Sequence, residues 1–278
     1  MSIGARLLVA GFLLLADPET SSQEPVTRGQ GPVTRSKLMR NLISALQFIT
    51  ILPLGKAQSF DPPKMVPYFP LVGILLGLLV AGFDAIVVRF WTPPVVALLD
   101  IILLAVLTGA FHIDGLGDTA DGLLGPRSRD KALEIMKDSR IGTMGLVAIL
   151  FGLAIKWGGI ASLSYHRSIF LIIVPAYARA GILFGMRYLP YGRPDGTGKP
   201  FFHEKLVCRH FWGLILPIGF SLLLGLKALW LNLAFAIIIG SILFFYKKRM
   251  GCITGDMLGA MTELTEAGLF LTASVGGW

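Results

Sequence analysis

Apolar stretches of about 17–25 residues recur from residue 66 to the C-terminus, each long enough to cross about 30 Å of hydrocarbon. Composition agrees: 54% of the 278 residues are hydrophobic and the mean hydropathy is +0.70, which excludes an ordinary soluble domain. The fold class expected is all-α, a polytopic membrane helix bundle. About seven transmembrane helices are expected, near 66–89, 94–111, 143–161, 168–189, 211–226, 229–246 and 253–275. The segment 38–54 is apolar but short and ends near Pro53, so it reads as an interfacial or re-entrant helix.

Charge placement tests this count. The net charge of +8 would suggest nucleic acid in a soluble protein, but its distribution has a simpler cause and no nucleic-acid partner is expected. With the N-terminus cytoplasmic, segments 1–65, 112–142, 186–210 and 247–252 face inward and hold 20 of the 25 Lys and Arg. Outward turns hold only Arg89, Arg167 and Lys227, while Lys156 and Arg179 fall inside spans. That asymmetry fits a multi-pass protein of the cell inner membrane. Cys208 and Cys252 have no metal-site spacing and read as free thiols. Residues 1–37 hold a short apolar run, Leu7–Ala16, and a polar stretch, 17–36, expected to be disordered; 38–278 is expected to be a single membrane domain.

The stretch Phe111–Gly145 carries the densest chemistry. Asp114, Asp118 and Asp121 lie four and three residues apart, which on a helix puts them within about 60° of one face. They follow an apolar span with no Lys or Arg before Arg127, and carboxylates so placed call for a positive partner. A hard divalent cation that also touches phosphate, Mg²⁺ or alternatively Mn²⁺, suits such a set. The bland reading is a solvated acidic loop. His112 is a candidate ligand or general base. Asp130, Glu134 and Asp138 form a second acidic stripe flanked by Lys131, Lys137 and Arg140. That stripe is either a solvated surface helix or a site pairing Asp138 with metal and Lys137 or Arg140 with phosphate.

In the final apolar segment Asp256, Gly259, Glu263 and Glu266 fall within about 80° of one helical face. Metal or substrate binding is the preferred role, with proton relay as the rival. Arg179 either steadies a phosphate or pairs with Glu263 or Glu266. The glycine-rich loop 191–201 with Arg193 and Lys199 is a candidate phosphate cradle, although it matches no nucleotide-binding signature.

These segments together resemble the adenosylcobinamide-GDP ribazoletransferases, also called cobalamin 5'-phosphate synthases. The resemblance runs from about Leu38 to the C-terminus and is carried by LISALQFITILPLG, PYFPLVGILLG, FHIDGLGDTADGLLG, ALEIMKDSRIGTMG, PAYARA and GDMLGAMTELTE. The N-terminal extension departs from the family pattern. The resemblance implies a Mg²⁺-dependent transfer in which the 3'-hydroxyl of α-ribazole, or of its 5'-phosphate, attacks the cobinamide-side phosphorus of adenosylcobinamide-GDP and expels GMP. By analogy Asp114, Asp118 and Asp121 hold metal on the pyrophosphate, Asp138, Asp256 and Glu263 complete the site, and Arg140 and Arg179 steady phosphate oxygens. The alternatives are a CDP-alcohol phosphotransferase, whose opening motif Asp118-Thr119-Ala120-Asp121-Gly122 partly matches, and a cation- or proton-coupled transporter. Oligomeric state is left open, a homo-oligomer included.

Overall fold

The computed structural model describes residues 33–55, 61–196 and 198–275. The apolar run Leu7–Ala16 and most of the polar stretch after it lie outside the described residues. In chain order the α-helices are α1 (Val33–Ile49), α2 (Pro62–Met65), α3 (Phe69–Val87), α4 (Pro93–Leu107), α5 (Phe111–Leu123), α6 (Arg129–Ile135), α7 (Thr143–Ala161), α8 (Arg167–Tyr188), α9 (Ile215–Ser221), α10 (Lys227–Arg249) and α11 (Gly255–Ser274). The all-helical class expected from the apolar runs holds. Four stretches are long and apolar enough to cross a membrane, Pro62–Val87, Thr143–Ala161, Arg167–Tyr188 and Lys227–Arg249, or five if the bent pair α4–α5 is counted as one.

The count of seven is not reproduced, for three local reasons. Segment 211–226 is broken into a 3₁₀ turn (Cys208–Leu214), α9 and another 3₁₀ turn (Leu222–Leu224), so it forms no continuous span. The run 94–111 ends at Leu107, where Gly109 and Ala110 take left-handed backbone angles and α5 leaves at 91° to α4. The last helix, α11, is 20 residues long but carries three carboxylates. At the other end, α1 begins at Val33, so the close of the stretch expected to be disordered is helical.

Close packing of α3 on α8 forms the centre. Gly73 and Gly77 are four residues apart, and a Cβ on either would run into the α8 backbone around Pro175–Ala176 and Leu171–Ile172. Small residues at this spacing let two helices approach where lipid offers no hydrophobic drive to association. Most of α8 is therefore buried, whereas α10 turns Leu229, Trp230, Leu233, Ile237 and Phe244 outward, the surface a helix shows to lipid.

One end of the bundle is locked by Arg167. Its guanidinium meets Asp84 of α3 at 2.7 Å and Asp100 of α4 at 2.9 Å, and donates to the Ile160 carbonyl of α7 at 2.6 Å. A single residue expected in an outward turn thus ties four helices. The other end gathers α5, α7 and α11. Gly115 faces the Asp256 backbone and Gly259 faces that of His112, so α5 and α11 run antiparallel in direct contact.

Candidate active site

The aspartate run does fold as a helix, α5, with all three carboxylates on it, and the structure gives them different employment. Asp121 is a brace. Its Oδ2 accepts from Gly142 N at 2.7 Å and its Oδ1 from Gly145 N at 2.8 Å, so it satisfies donors at the start of α7 that no helix turn can reach. A Cβ at Gly142 or Gly145 would collide with that carboxylate, which is why both positions are glycine. The carbonyl end of α5 is met by cations: Arg127 donates to Asp121 O and Arg249 to Gly125 O.

Asp114 and Asp118 have no hydrogen-bond or ion-pair partner for their side chains among the described residues. Across from them is Asp256, in the first turn of α11 just after Thr254, whose hydroxyl caps that helix by accepting from Met257 N at 3.2 Å. The charges that bear on Asp118 are Asp256, Asp114, Arg193 and Asp121. Arg193 pairs with Asp256 at 2.5 Å through Nη2, while its Nε is buried without a partner. The loop holding Arg193 is pinned to the head of α11: Gly192 N donates to Ile253 O and Ile253 N to Pro190 O, both at 2.9 Å. Four carboxylates thus meet one guanidinium and two backbone amides.

About two turns deeper on the same face of α11 the balance is different. Lys156 of α7 lies 2.6 Å from both Glu263 and Glu266, and Arg179 of α8 pairs with Glu266. All four side chains are buried. Glu263 was expected on a metal and Arg179 on a phosphate; the structure instead gives each a buried ionic partner. Arg179 takes the alternative role of pairing with Glu266. Lys156, to which the sequence reading gave no role, completes the group. His112 lies on this inner side, 1% exposed, its ring tilted 40° to that of Phe111 and within the field of Arg179 and Lys156, with Nδ1 unpartnered.

The second acidic stripe does not extend as a helix face, because α6 stops at Ile135 and Asp138 falls in the turn beyond it. Asp138 is clasped by the exposed Arg140 at 2.6 Å, and that guanidinium holds its carboxyl down to about 2. Lys137 is exposed in the same turn and Glu134 pairs with Lys131 at 2.9 Å. Asp138, Arg140 and Lys137 therefore stand at the rim, two residues or more from the Asp121 brace at Gly142.

The glycine-rich loop is organised around one of its own rings. Gly196 and Gly198 make room for the Tyr191 ring, and Gly198 N donates to the Tyr191 hydroxyl at 3.2 Å, so that amide is already engaged. Its side chains instead line a cavity of about 720 Å³ that includes Arg193.

No three His, Cys, Asp or Glu side chains among the described residues already converge as a cation cage. A Mg²⁺-type site needs none: such ions keep several waters and are held by one or two carboxylates plus substrate phosphates. The unpartnered Asp114 and Asp118 beside Asp256 are a donor set of that kind.

Residues 41–274 match the model of the family described as cobalamin-5-phosphate synthase. The chain is 35% identical over 246 residues to an adenosylcobinamide-GDP ribazoletransferase of Clostridium novyi (strain NT), an alignment covering 82% of this chain and 94% of the relative. It is 37% identical over 236 residues to the enzyme of that name from Alkaliphilus metalliredigens (strain QYMF), covering 82% and 92%. A Klebsiella pneumoniae (strain 342) protein of the same name is 35% identical over 246 residues, covering 85% and 99%. No solved structure matches the chain.

Proposed function

The chain belongs to the cobalamin-5-phosphate synthase family, and on that premise we propose that its acidic site transfers adenosylcobinamide phosphate from adenosylcobinamide-GDP to the ribose 3'-hydroxyl of α-ribazole or its 5'-phosphate, releasing GMP. The product is adenosylcobalamin or its 5'-phosphate, the end of nucleotide-loop assembly. The observation that carries the site assignment is the pair of unpartnered carboxylates, Asp114 and Asp118, held against Asp256 where Gly115 lets α5 touch α11.

The chain's own groups suit the two demands of the reaction. Asp118, bonded to nothing else, is a base for the attacking hydroxyl's proton. Arg193, with its Nε buried and unused, is a donor to phosphate oxygens beside Asp256. Glycine contacts along α5 hold both carboxylates on rigid helix, so little reorganisation is needed as charge develops on phosphorus. Asp114 and Asp118, with Asp256 beside them, would supply the one or two carboxylates that hold Mg²⁺, or Mn²⁺, which when bound neutralises pyrophosphate charge and eases the departure of GMP.

The site faces the cytoplasm in this reading. Its support is charge: the helix ends and loops beside the mouth carry Arg127, Arg129, Arg187, Lys199, Lys205 and Lys247–Arg249, while the far end is served by Arg89, Arg167 and Lys227. The test is GMP release by the purified protein in detergent. Release that requires adenosylcobinamide-GDP, α-ribazole and Mg²⁺ together, and is lost in Asp118→Asn, supports the reading. Release of CMP from a CDP-alcohol, or full turnover by Asp118→Asn at limiting Mg²⁺, would overturn it.

A further inference from the structure

Apart from Arg193, the residues lining the cavity of about 720 Å³ have no part in the metal-and-carboxylate account. It lies between the end of α8 and the loop 190–205, and it opens next to the head of α11, to which that loop is pinned at Tyr191–Ile253. At about 720 Å³ it is within the usual range of small-ligand sites, about 300–1,000 Å³. Its lining combines two chemistries. Arg187, Arg193, Lys199 and Lys205 supply four cations against one carboxylate, Glu204. Tyr188, Tyr191 and Phe202 supply aromatic rings, of which Tyr188 is 63% exposed and Tyr191 packs on Phe202 with centroids 4.9 Å apart.

A flat interfacial belt of Tyr and Arg would have no concave wall and no buried guanidinium nitrogen lacking a partner. This cavity has both, the latter in Arg193 Nε. Cations with ring faces are what an aromatic base carrying a phosphate requires: charge for the phosphate, stacking for the base. Arg193 belongs to both places, since it lines the cavity and also bonds Asp256.

We propose that this cavity is a nucleoside 5'-phosphate subsite, with Tyr188 stacking the base and Lys199 and Lys205 gripping the phosphate, while Arg193 joins it to the carboxylates that handle the reacting phosphorus. The inference rests on the transfer reading only for which nucleotide is delivered. The guanosine phosphate half of the donor and the phosphorylated acceptor share this chemistry.

The test is calorimetric binding of GMP, α-ribazole 5'-phosphate and inorganic phosphate to the full chain in nanodiscs, with EDTA present so that no turnover occurs. The variants are Tyr188→Ala and Lys205→Ala, both at exposed positions whose loss leaves the helix packing intact. Each variant is expected to weaken one nucleotide about tenfold. If that nucleotide is GMP the subsite serves the donor; if it is α-ribazole 5'-phosphate it serves the acceptor. Wild-type affinity for both nucleotides in both variants, inorganic phosphate binding as tightly as either, or no nucleotide binding by the unaltered chain would each overturn the proposal. Because the readout is binding, a failed transfer assay with pocket-dependent GMP binding counts against the reaction, while equal binding by all variants of an active enzyme counts against the subsite.

Discussion

Two groups of charged side chains share one face of α11 about two turns apart, and they differ in how their charge is met. The deep group sets Glu263 and Glu266 against Lys156 and Arg179, two acids and two bases, all buried. The mouth sets Asp114, Asp118, Asp121 and Asp256 against Arg193 and two amides, leaving two carboxylates with no partner. Matched charge in a bundle interior is structure: breaking such a pair leaves an uncompensated buried ion, at a cost of about 3–5 kcal/mol. Unmatched charge at the bundle's end is kept because something else completes it. The difference teaches that an acidic face on a membrane helix is not one functional unit; partner count separates its support from its chemistry.

The largest effect that would break this comparison is on turnover at Asp118. Asp118→Asn is expected to lower GMP release by about 10²–10³-fold, because it removes a carboxylate that would hold the divalent ion on the reacting phosphate. Membrane insertion and Tm should stay at wild type, since the side chain has no partner to lose. At the deep group the pattern inverts. Lys156→Met should cost about 3–5 kcal/mol by stranding Glu263, while Glu266 keeps Arg179. Adding Glu263→Gln in the same chain should recover much of the lost Tm, since it removes the stranded carboxylate and leaves the Arg179–Glu266 pair in place. A Lys156→Met protein with wild-type Tm would show that the deep group is not the structural half.

A third change sharpens the boundary between the two. Gly115→Ala places a Cβ 2.7 Å from the Asp256 carbonyl, so α5 and α11 must separate at the mouth. Turnover should fall about tenfold or more, as small displacements of positioning groups do, with a smaller change in Tm than Lys156→Met gives. The smallest effect is expected at the rim. Asp138 is half-buried and held down to about 2 by the exposed Arg140, so it is ionised in the native chain at all ordinary pH values. What the pair contributes is present above the unfolded carboxyl value near 4 and lost as pH falls toward 2. Because a solvent-screened surface ion pair contributes little, Arg140→Gln should lower Tm at pH 7 only slightly, and the pH–activity profile between 5 and 8 should keep its shape.

Much of the fold was legible because lipid makes backbone satisfaction a local matter: the runs holding α3, α7, α8 and α10 could be read from hydropathy alone. The bend at Gly109–Ala110 was not, since an apolar run continues through it and only the left-handed backbone at two residues marks the break. The spacing Gly73-x3-Gly77 was a readable sign of the α3–α8 contact and went unused. At the site, helical spacing placed Asp114, Asp118 and Asp121 on one face and Asp256 on another. It was silent on partners. Asp121 bonding to amides 21 and 24 residues away, Lys156 reaching Glu263 across 107, and Arg193 reaching Asp256 across 63 are tertiary facts that no local pattern encodes. The sign that something was needed lay in the sequence nonetheless: Lys156 and Arg179 are cations inside apolar spans, and such residues need acids.

The central claim is that unmatched carboxylates at the mouth, and not the matched ones beneath, take up the divalent ion. Titration of Mn²⁺ followed by electron paramagnetic resonance, on purified Asp118→Asn and on Glu263→Gln with and without the pyrophosphate donor, tests it most directly. The account predicts that Asp118→Asn loses the bound-ion signal and its strengthening by donor, whereas Glu263→Gln keeps both. Retention of the ion by Asp118→Asn together with its loss from folded Glu263→Gln would contradict the account.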